Sequence, residues 1–154
     1  MTALPAISHY ISTYRALSGR EQKVLLASLV LLPLFWLGLR LVGLQSFQAW
    51  LDRSPIARRA PLNQPEAAAL GVAVNRAANH VFGTVTCLTR SLLLRWLLRR
   101  YGTASDLRIG VRFDDGELLA HAWVEQDGIP INDRPEVVAR YAAFDRPIAP
   151  EMFS

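Results

Sequence analysis

One cysteine, Cys87, is followed 34 residues later by His121 and a further 12 residues on by Asp133. A thiol is a strong nucleophile only as the thiolate. An imidazole within reach can take its proton, and a carboxylate on the far side of the ring holds the imidazole in the required tautomer. Nucleophile, base and orienter in that order are the components of acyl transfer through a thioester. Each residue alone also has a plain structural reading. A lone cysteine is most often a small buried hydrophobe, a histidine in a strand is often a satisfied core residue, and Asp133 could cap the turn into Pro135. Placement by the fold therefore decides the matter. The single cysteine excludes an internal disulfide framework and a multi-cysteine metal centre, and His9 and His80 stand at no metal-ligand spacing. Neither a metal nor a cofactor is expected.

The elements that must position these residues are legible in outline. Pro65 opens an alanine-rich helix running to about Val81 and ending near Gly83. Thr84-Val-Thr86 supplies N-caps for a second helix that carries Cys87 in its first turn and stops at Tyr101-Gly102. On a helical wheel Cys87 shares a stripe with Leu94, Leu98 and Tyr101, while Leu88, Leu92, Leu93 and Trp96 cover other faces, so this helix should be central. The thiol at its N-terminus feels the positive end of the helix dipole, and the Cys87 amide is the first candidate to bind an oxyanion.

LRIGVRF, from Leu107 to Phe113, alternates as a strand, Asp114-Asp-Gly116 is a turn, and a second strand runs from about Leu118 to Gln126. Its faces carry Ala120, Ala122 and Val124 against Leu119, His121, Trp123 and Glu125. Trp123, beside His121, is the candidate to shield the site or line a substrate cleft. A third strand is expected around Ile129 to Asn132. A three-residue loop Gln126-Asp127-Gly128 would set Glu125 opposite Ile129, Trp123 opposite Ile131 and His121 opposite Asp133, about 5 Å apart between Cα atoms. A two-residue Asp-Gly loop would slip the pairing by one and send Asp133 to the opposite face. The catalytic reading favours the three-residue register. Helices followed by a small antiparallel sheet packed on the nucleophile helix make an α+β arrangement.

Hydrophobic residues are 51% of the 154 and charged residues 19%; the apolar excess lies between Val24 and Leu44. Ser18 and Glu21 have capping-box spacing for a helix from Glu21 to about Trp50. It contains VLLASLVLLPLFWLGL, sixteen uncharged residues, short of the ~20 that span a bilayer unless Arg40 snorkels. Pro33 and Gly38 should kink or loosen it. The expectation is that this helix docks on protein, with membrane attachment as the alternative. Asp52 to Asn63 reads as a connector, dividing the chain into an apolar helical segment, 1–53, and a catalytic domain, 64–154. The formal charge of +4 suits an acidic peptide or a lipid surface, and without an aromatic-studded basic stripe nucleic acid is an unfavoured partner. Arg90, Arg95, Arg99 and Arg100 could hold carboxylates of substrate or partner, although structural roles are commoner. Roughly twenty residues including Glu21 precede the apolar run, and no short h-region with a small-residue cleavage site follows, which predicts a cytoplasmic protein with membrane association as the alternative.

The segments CLTRSLLLRWLLRRYG, LRIGVRF, AHAWVE and DGIPIND resemble the transglutaminase-like cysteine peptidases known as the B2 proteins of lasso peptide gene clusters, over roughly Ala67 to Asp133. The paired C-L-x-R and A-H-A-W-V-E motifs carry the resemblance. It implies a transglutaminase-like, papain-like core with Cys87, His121 and Asp133 as its catalytic triad, and removal of the leader from a ribosomally made precursor peptide. It further implies a separate B1-type leader-recognition protein, because residues 1–53 offer no strands for a fused recognition module, and a macrolactam synthetase that closes the ring. Two other functions stay open at this point: a transglutaminase-type amide transferase, and a non-catalytic membrane-associated scaffold.

Overall fold

The computed structural model describes residues 14–56, 60–81 and 85–144. The elements follow in the order α1 (Gly19–Asp52), α2 (Gln64–Ala78), α3 (Cys87–Arg100), β1 (Asp106–Asp114), β2 (Glu117–Gln126), β3 (Ile129–Pro130), α4 (Val137–Arg140) and β4 (Ala142–Ala143). The strands form one antiparallel sheet in the order β3-β2-β1-β4. The architecture is α+β, as the order of sequence patterns implied.

Local chemistry sets the helix ends. Ser18 Oγ accepts from the Glu21 N–H and the Glu21 carboxylate accepts from the Ser18 N–H, which closes the expected capping box of α1. Asn63 and Glu66 make a second box at the start of α2, with Pro65 in its first turn. That helix stops at Ala78, short of the expected Val81, and the stop expected near Gly83 lies outside the described residues. α3 ends as the sequence indicates. Gly102 takes φ 71°, the Thr103 N–H reaches Leu98 O at 2.9 Å and the Gly102 N–H reaches Arg99 O at 2.9 Å, which is the Schellman pattern of a glycine-terminated helix.

The bend in α1 is not where it was expected. The helix runs through Pro33, and the break falls at Gly43, whose φ of 76° and ψ of 167° suit glycine best. The chain then folds back so that the Phe47 ring occupies the space a side chain at Gly38 would need, 2.5 Å from the Cβ position. Gly38 thus serves close packing rather than bending. Phe35 meets Phe47 edge-on at 5.2 Å and Trp96 of α3 at 5.7 Å.

One core unites the helices with the inner face of the sheet. Val24, Leu32, Phe35, Phe47 and Leu51 of α1 pack with Leu70 and Val74 of α2, Leu92, Leu93, Leu94 and Leu98 of α3, and Leu107 and Val124 of the sheet. Among the described residues, the segments expected as 1–53 and 64–154 therefore share one core. The connector is pinned as well: the Leu62 N–H donates to Thr103 Oγ1 at 2.8 Å, and Gln126 Nε2 donates to Leu62 O at 3.1 Å. All four α3 arginines have structural partners, Arg90 donating to Val85 O at 3.5 Å. Arg95 pairs with Asp52 at 3.2 Å, Arg99 donates to Asp52 O at 2.6 Å, and Arg100 lies 5.0 Å over the Trp96 ring. Leu32 is fully buried, so Leu32→Ala should cost about 2–5 kcal/mol in denaturant unfolding. A cost under about 1 kcal/mol would mean that α1 does not share the core.

The opposite face of α1 stays open. Leu26, Val30, Leu34, Leu37 and Leu41 form an exposed apolar stripe at helical spacing. By length and composition α1 could cross a membrane, but its Val24, Leu32 and Phe35 side is committed to the protein core.

Candidate active site

Cys87 is the first residue of α3, half-buried, with Thr86 as the N-cap accepting from the Thr89 N–H at 3.3 Å. No acidic residue occupies the first turn, so the field of the helix end reaches the thiol undiminished. The body of the helix is sunk in the core, with Leu92, Leu93, Leu94 and Leu98 fully buried. A buried shaft with an accessible first turn fits what the wheel implied.

His121 stands on β2 opposite Gly110 of β1. Its imidazole lies within hydrogen-bonding reach of the Cys87 thiol, and its Nε2 is 2.5 Å from Asp133 Oδ2. With Nε2 so engaged, Nδ1 is the nitrogen left for sulfur. Asp133 Oδ1 accepts from the Arg134 N–H at 2.7 Å, which fixes the carboxylate plane. The fold thus brings all three residues together.

It does so by a different route from the expected register. The β2–β3 loop has two residues, Asp127 and Gly128, with φ of 52° and 78°; this is the type I′ geometry that an Asp-Gly pair favours. Gln126 therefore pairs with Ile129 and Glu125 with Pro130, one place off the three-residue register. An unbroken strand would then carry Asp133 to the face away from His121. The strand breaks instead. Pro130 occupies a non-hydrogen-bonded position, where its missing N–H costs nothing. The Ile131 N–H still reaches Val124 O at 3.0 Å, but the returning bond from the Val124 N–H goes to Asn132 Oδ1 at 2.8 Å. Freed from the ladder, Ile131 O lies 2.5 Å from the Cβ position of Gly71 on α2, where only glycine leaves room. The bend over Ile131–Asp133 returns the Asp133 carboxylate to the imidazole.

Around His121 the sheet face is closed by aromatics. The Trp123 ring is 6.2 Å from the imidazole and nearly parallel to it, and Tyr141 is 5.1 Å away. A side chain at Gly110 would meet both Trp123 and Tyr141 at 2.9 Å, so the glycine makes this cluster possible. Trp123 is 0% exposed; its Nε1 donates to Glu125 Oε1 at 2.8 Å, and Glu125 pairs with Arg108 at 2.9 Å. The expected role for Trp123 as a cleft lining is corrected here. A fully enclosed ring offers substrate no surface, and its contribution is to back the imidazole. Tyr141, Asn132, Ser91 and Asn75 were not singled out from sequence. The glycine facing His121 across the hairpin was the available signal for Tyr141.

The electrostatics of the pair follow from these contacts. Burial of Cys87 raises its pKa, but the His121 hydrogen bond, the backbone of Ala122, the imidazolium charge and the Leu88 backbone outweigh that and leave the thiol below its ordinary value. The Cys87 contact is the largest influence on His121. Against the opposing effect of burial, it and Asp133 push the imidazole up to about 9. Thiolate and imidazolium favour each other, which is the charge state that nucleophilic thiol chemistry requires.

No curated protein and no solved structure matches the chain. A family model does, that of the transglutaminase-like superfamily, over residues 29–145. The matched stretch takes in most of α1 as well as Cys87, His121 and Asp133, in keeping with the single core. On that match the chain belongs to the transglutaminase-like superfamily.

Proposed function

We propose that the protein is a cysteine peptidase that cuts the leader from a ribosomally made lasso peptide precursor. The observation that carries the chemistry is the joined contact of the Cys87 thiol, the His121 imidazole and the Asp133 carboxylate. The thiolate attacks the scissile carbonyl, and the Cys87 amide at the start of α3 donates to the oxyanion. Imidazolium gives its proton to the leaving amine, producing free core peptide and a thioester of Cys87 with the leader. His121 then takes a proton from water, hydroxide adds to the thioester, and the thiolate departs. Asp133 keeps Nε2 occupied throughout, so that Nδ1 is the atom that exchanges protons.

The choice of substrate rests on the C-L-x-R and A-H-A-W-V-E motifs and their likeness to lasso B2 proteins. With it come the proposed partners: the leader region of the precursor, a B1-type recognition protein, and the macrolactam synthetase that receives the core. The open apolar stripe of α1 is the proposed seat of the recognition protein, with a lipid surface as the competing occupant. The site would then work in the cytoplasm, at or near the membrane.

The test is to incubate the full chain with precursor and recognition protein and weigh the products. Leader ending in a free carboxylate, together with free core, is the expected result. Acyl transfer to an amine is the second reading, favoured by membership of a superfamily that includes acyltransferases. An aminated leader when a primary amine is supplied would establish it. A Cys87 thiol that titrates as an ordinary thiol, with neither product formed, would leave only the scaffold.

A further inference from the structure

We infer that Asn132 is the positioning residue of the site, seating Asp133 on His121 through a relay anchored by Ser91 and Asn75. The inference rests on the proposed roles of Cys87, His121 and Asp133, and it concerns residues that do not touch the thiol or the imidazole.

The geometry begins with a conflict. The two-residue Asp127-Gly128 loop commits the strand after it to a register that would turn Asp133 away from His121. Something must break the alternation between Pro130 and Asp133 and hold the broken conformation in one place. Asn132 is bonded at every polar group that this requires. Its Oδ1 accepts from the Val124 N–H at 2.8 Å, replacing the carbonyl that a regular strand would have offered. Its Nδ2 donates to Ser91 Oγ at 3.0 Å, and Ser91 Oγ donates in turn to Ala122 O at 3.1 Å. Its own carbonyl accepts from Asn75 Nδ2 at 2.9 Å. Ser91 is fully buried on α3, one turn beyond Cys87. Asn75 lies on α2, one turn beyond the Gly71 that admits the Ile131 carbonyl.

These bonds tie three elements to the residue before Asp133: the nucleophile helix through Ser91, the histidine strand through Val124 and Ala122, and α2 through Asn75. A half-buried amide with its acceptor, its donor and its backbone carbonyl all satisfied has one preferred orientation, because any rotation breaks these bonds and leaves the buried Ser91 hydroxyl without its donor. The next residue inherits that fixity. Asp133 needs only its own side-chain rotamer, set by the Arg134 N–H, to meet Nε2. Asparagine suits the post better than aspartate, since a carboxylate could not donate to Ser91.

The readout is the pH dependence of Cys87 alkylation by iodoacetamide in the full chain, with circular dichroism and thermal melting of each variant. Reaction at about pH 6.5 requires the imidazolium-supported thiolate, whereas at about pH 9.5, above the His121 value of about 9, the imidazole is largely neutral in wild type and variant alike and its support no longer separates them. Asn132→Ala is expected to slow alkylation at the lower pH by about tenfold or more and to leave the higher-pH rate within about twofold. A packing defect alone would not divide the effect in that way. Asn75→Ala loosens the same post from the opposite side and should shift the profile in the same direction, by a smaller factor; it decides the matter if Asn132→Ala fails to fold. Asp133→Asn is the reference. A slowed Asp133→Asn beside a wild-type profile in the folded asparagine variants would overturn the positioning role alone. An unchanged profile in Asp133→Asn would instead remove the role proposed for the carboxylate, and this inference with it.

Discussion

Cys87→Ala is expected to release no leader above the uncatalysed background, a loss of at least about 10⁴-fold in kcat/KM. The fold should persist. The side chain sits at the accessible first turn of α3 rather than within its buried shaft, and the helix keeps its Thr86 cap. Truncating sulfur to hydrogen at a half-buried position should cost at most about 1 kcal/mol of stability. Mass spectrometry of a precursor digest, alongside a melting curve, checks both halves. The size of the expected effect follows from the thiol being the atom that becomes covalently bonded; neither His121 nor the helix end can supply a substitute. Retained cleavage by the purified variant would defeat the peptidase reading outright.

The pH profile of hydrolysis should be displaced upward on its alkaline side. Active enzyme needs the thiolate to attack and the imidazolium to protonate the leaving amine, so it exists between the depressed pKa of Cys87 and the raised one of His121. As pH falls through the lower value the sulfur is protonated and attack stops. As pH rises through about 9 the imidazole loses its proton and the leaving group is no longer assisted. The descending limb of kcat/KM is therefore expected near 9 instead of the ordinary imidazole value of 6.5. His121→Ala should abolish that limb along with turnover. It should also slow alkylation of Cys87 at neutral pH by more than about tenfold, because the burial that raises the thiol pKa would then be opposed only by the Ala122 and Leu88 backbone contacts. A descending limb close to 6.5 in the wild-type protein would show that thiol and carboxylate do not hold the imidazole charged in solution.

Where the sequence could be read and where it could not divides along physical lines. Signals acting within a few residues were legible: the Ser18–Glu21 box, the Thr86 cap, the Gly102 stop, and the apolar shaft of α3. The Asn63–Glu66 box belongs to the same class, with Pro65 marking the same first turn. The Asp127-Gly128 pair was also a local signal, and it pointed to the two-residue loop that the chain adopts. It conflicts with the catalytic pairing only if the third strand is regular, since a regular strand in that register puts Asp133 on the wrong face. Ile129 to Asn132 is not regular. The strand ends at Pro130 because a carbonyl finds space at Gly71, some sixty residues earlier in the chain, and because a side-chain amide takes over one ladder bond. No periodicity in Ile129 to Asp133 encodes either contact. The bend in α1 is a similar case. Pro33 is the stronger helix breaker by propensity, but the fold-back at Gly43 is determined by the fit of Phe47 against Gly38 and Phe35. The short α4 and β4 have no sequence signature, because four and two residues carry too little pattern to read.

The chain order of the site determines when the thiol can become dangerous to other proteins. Cys87 precedes its imidazole by 34 residues of chain, and the clamp that seats Asp133 closes contacts 41 and 57 residues apart, from Asn132 to Ser91 and to Asn75. During synthesis from the N-terminus, the α3 segment leaves the ribosome carrying a thiol with no imidazole beside it, and so without the hydrogen bond and charge by which His121 lowers its pKa in the folded site. The nucleophile is armed only when the last residues of the sheet return to the first helices, a closure of long-range contacts that belongs to the slow end of folding. Truncated or stalled chains would therefore carry an unactivated thiol, and thiol reactivity at mildly acid pH would report the completed fold more sharply than helix content could.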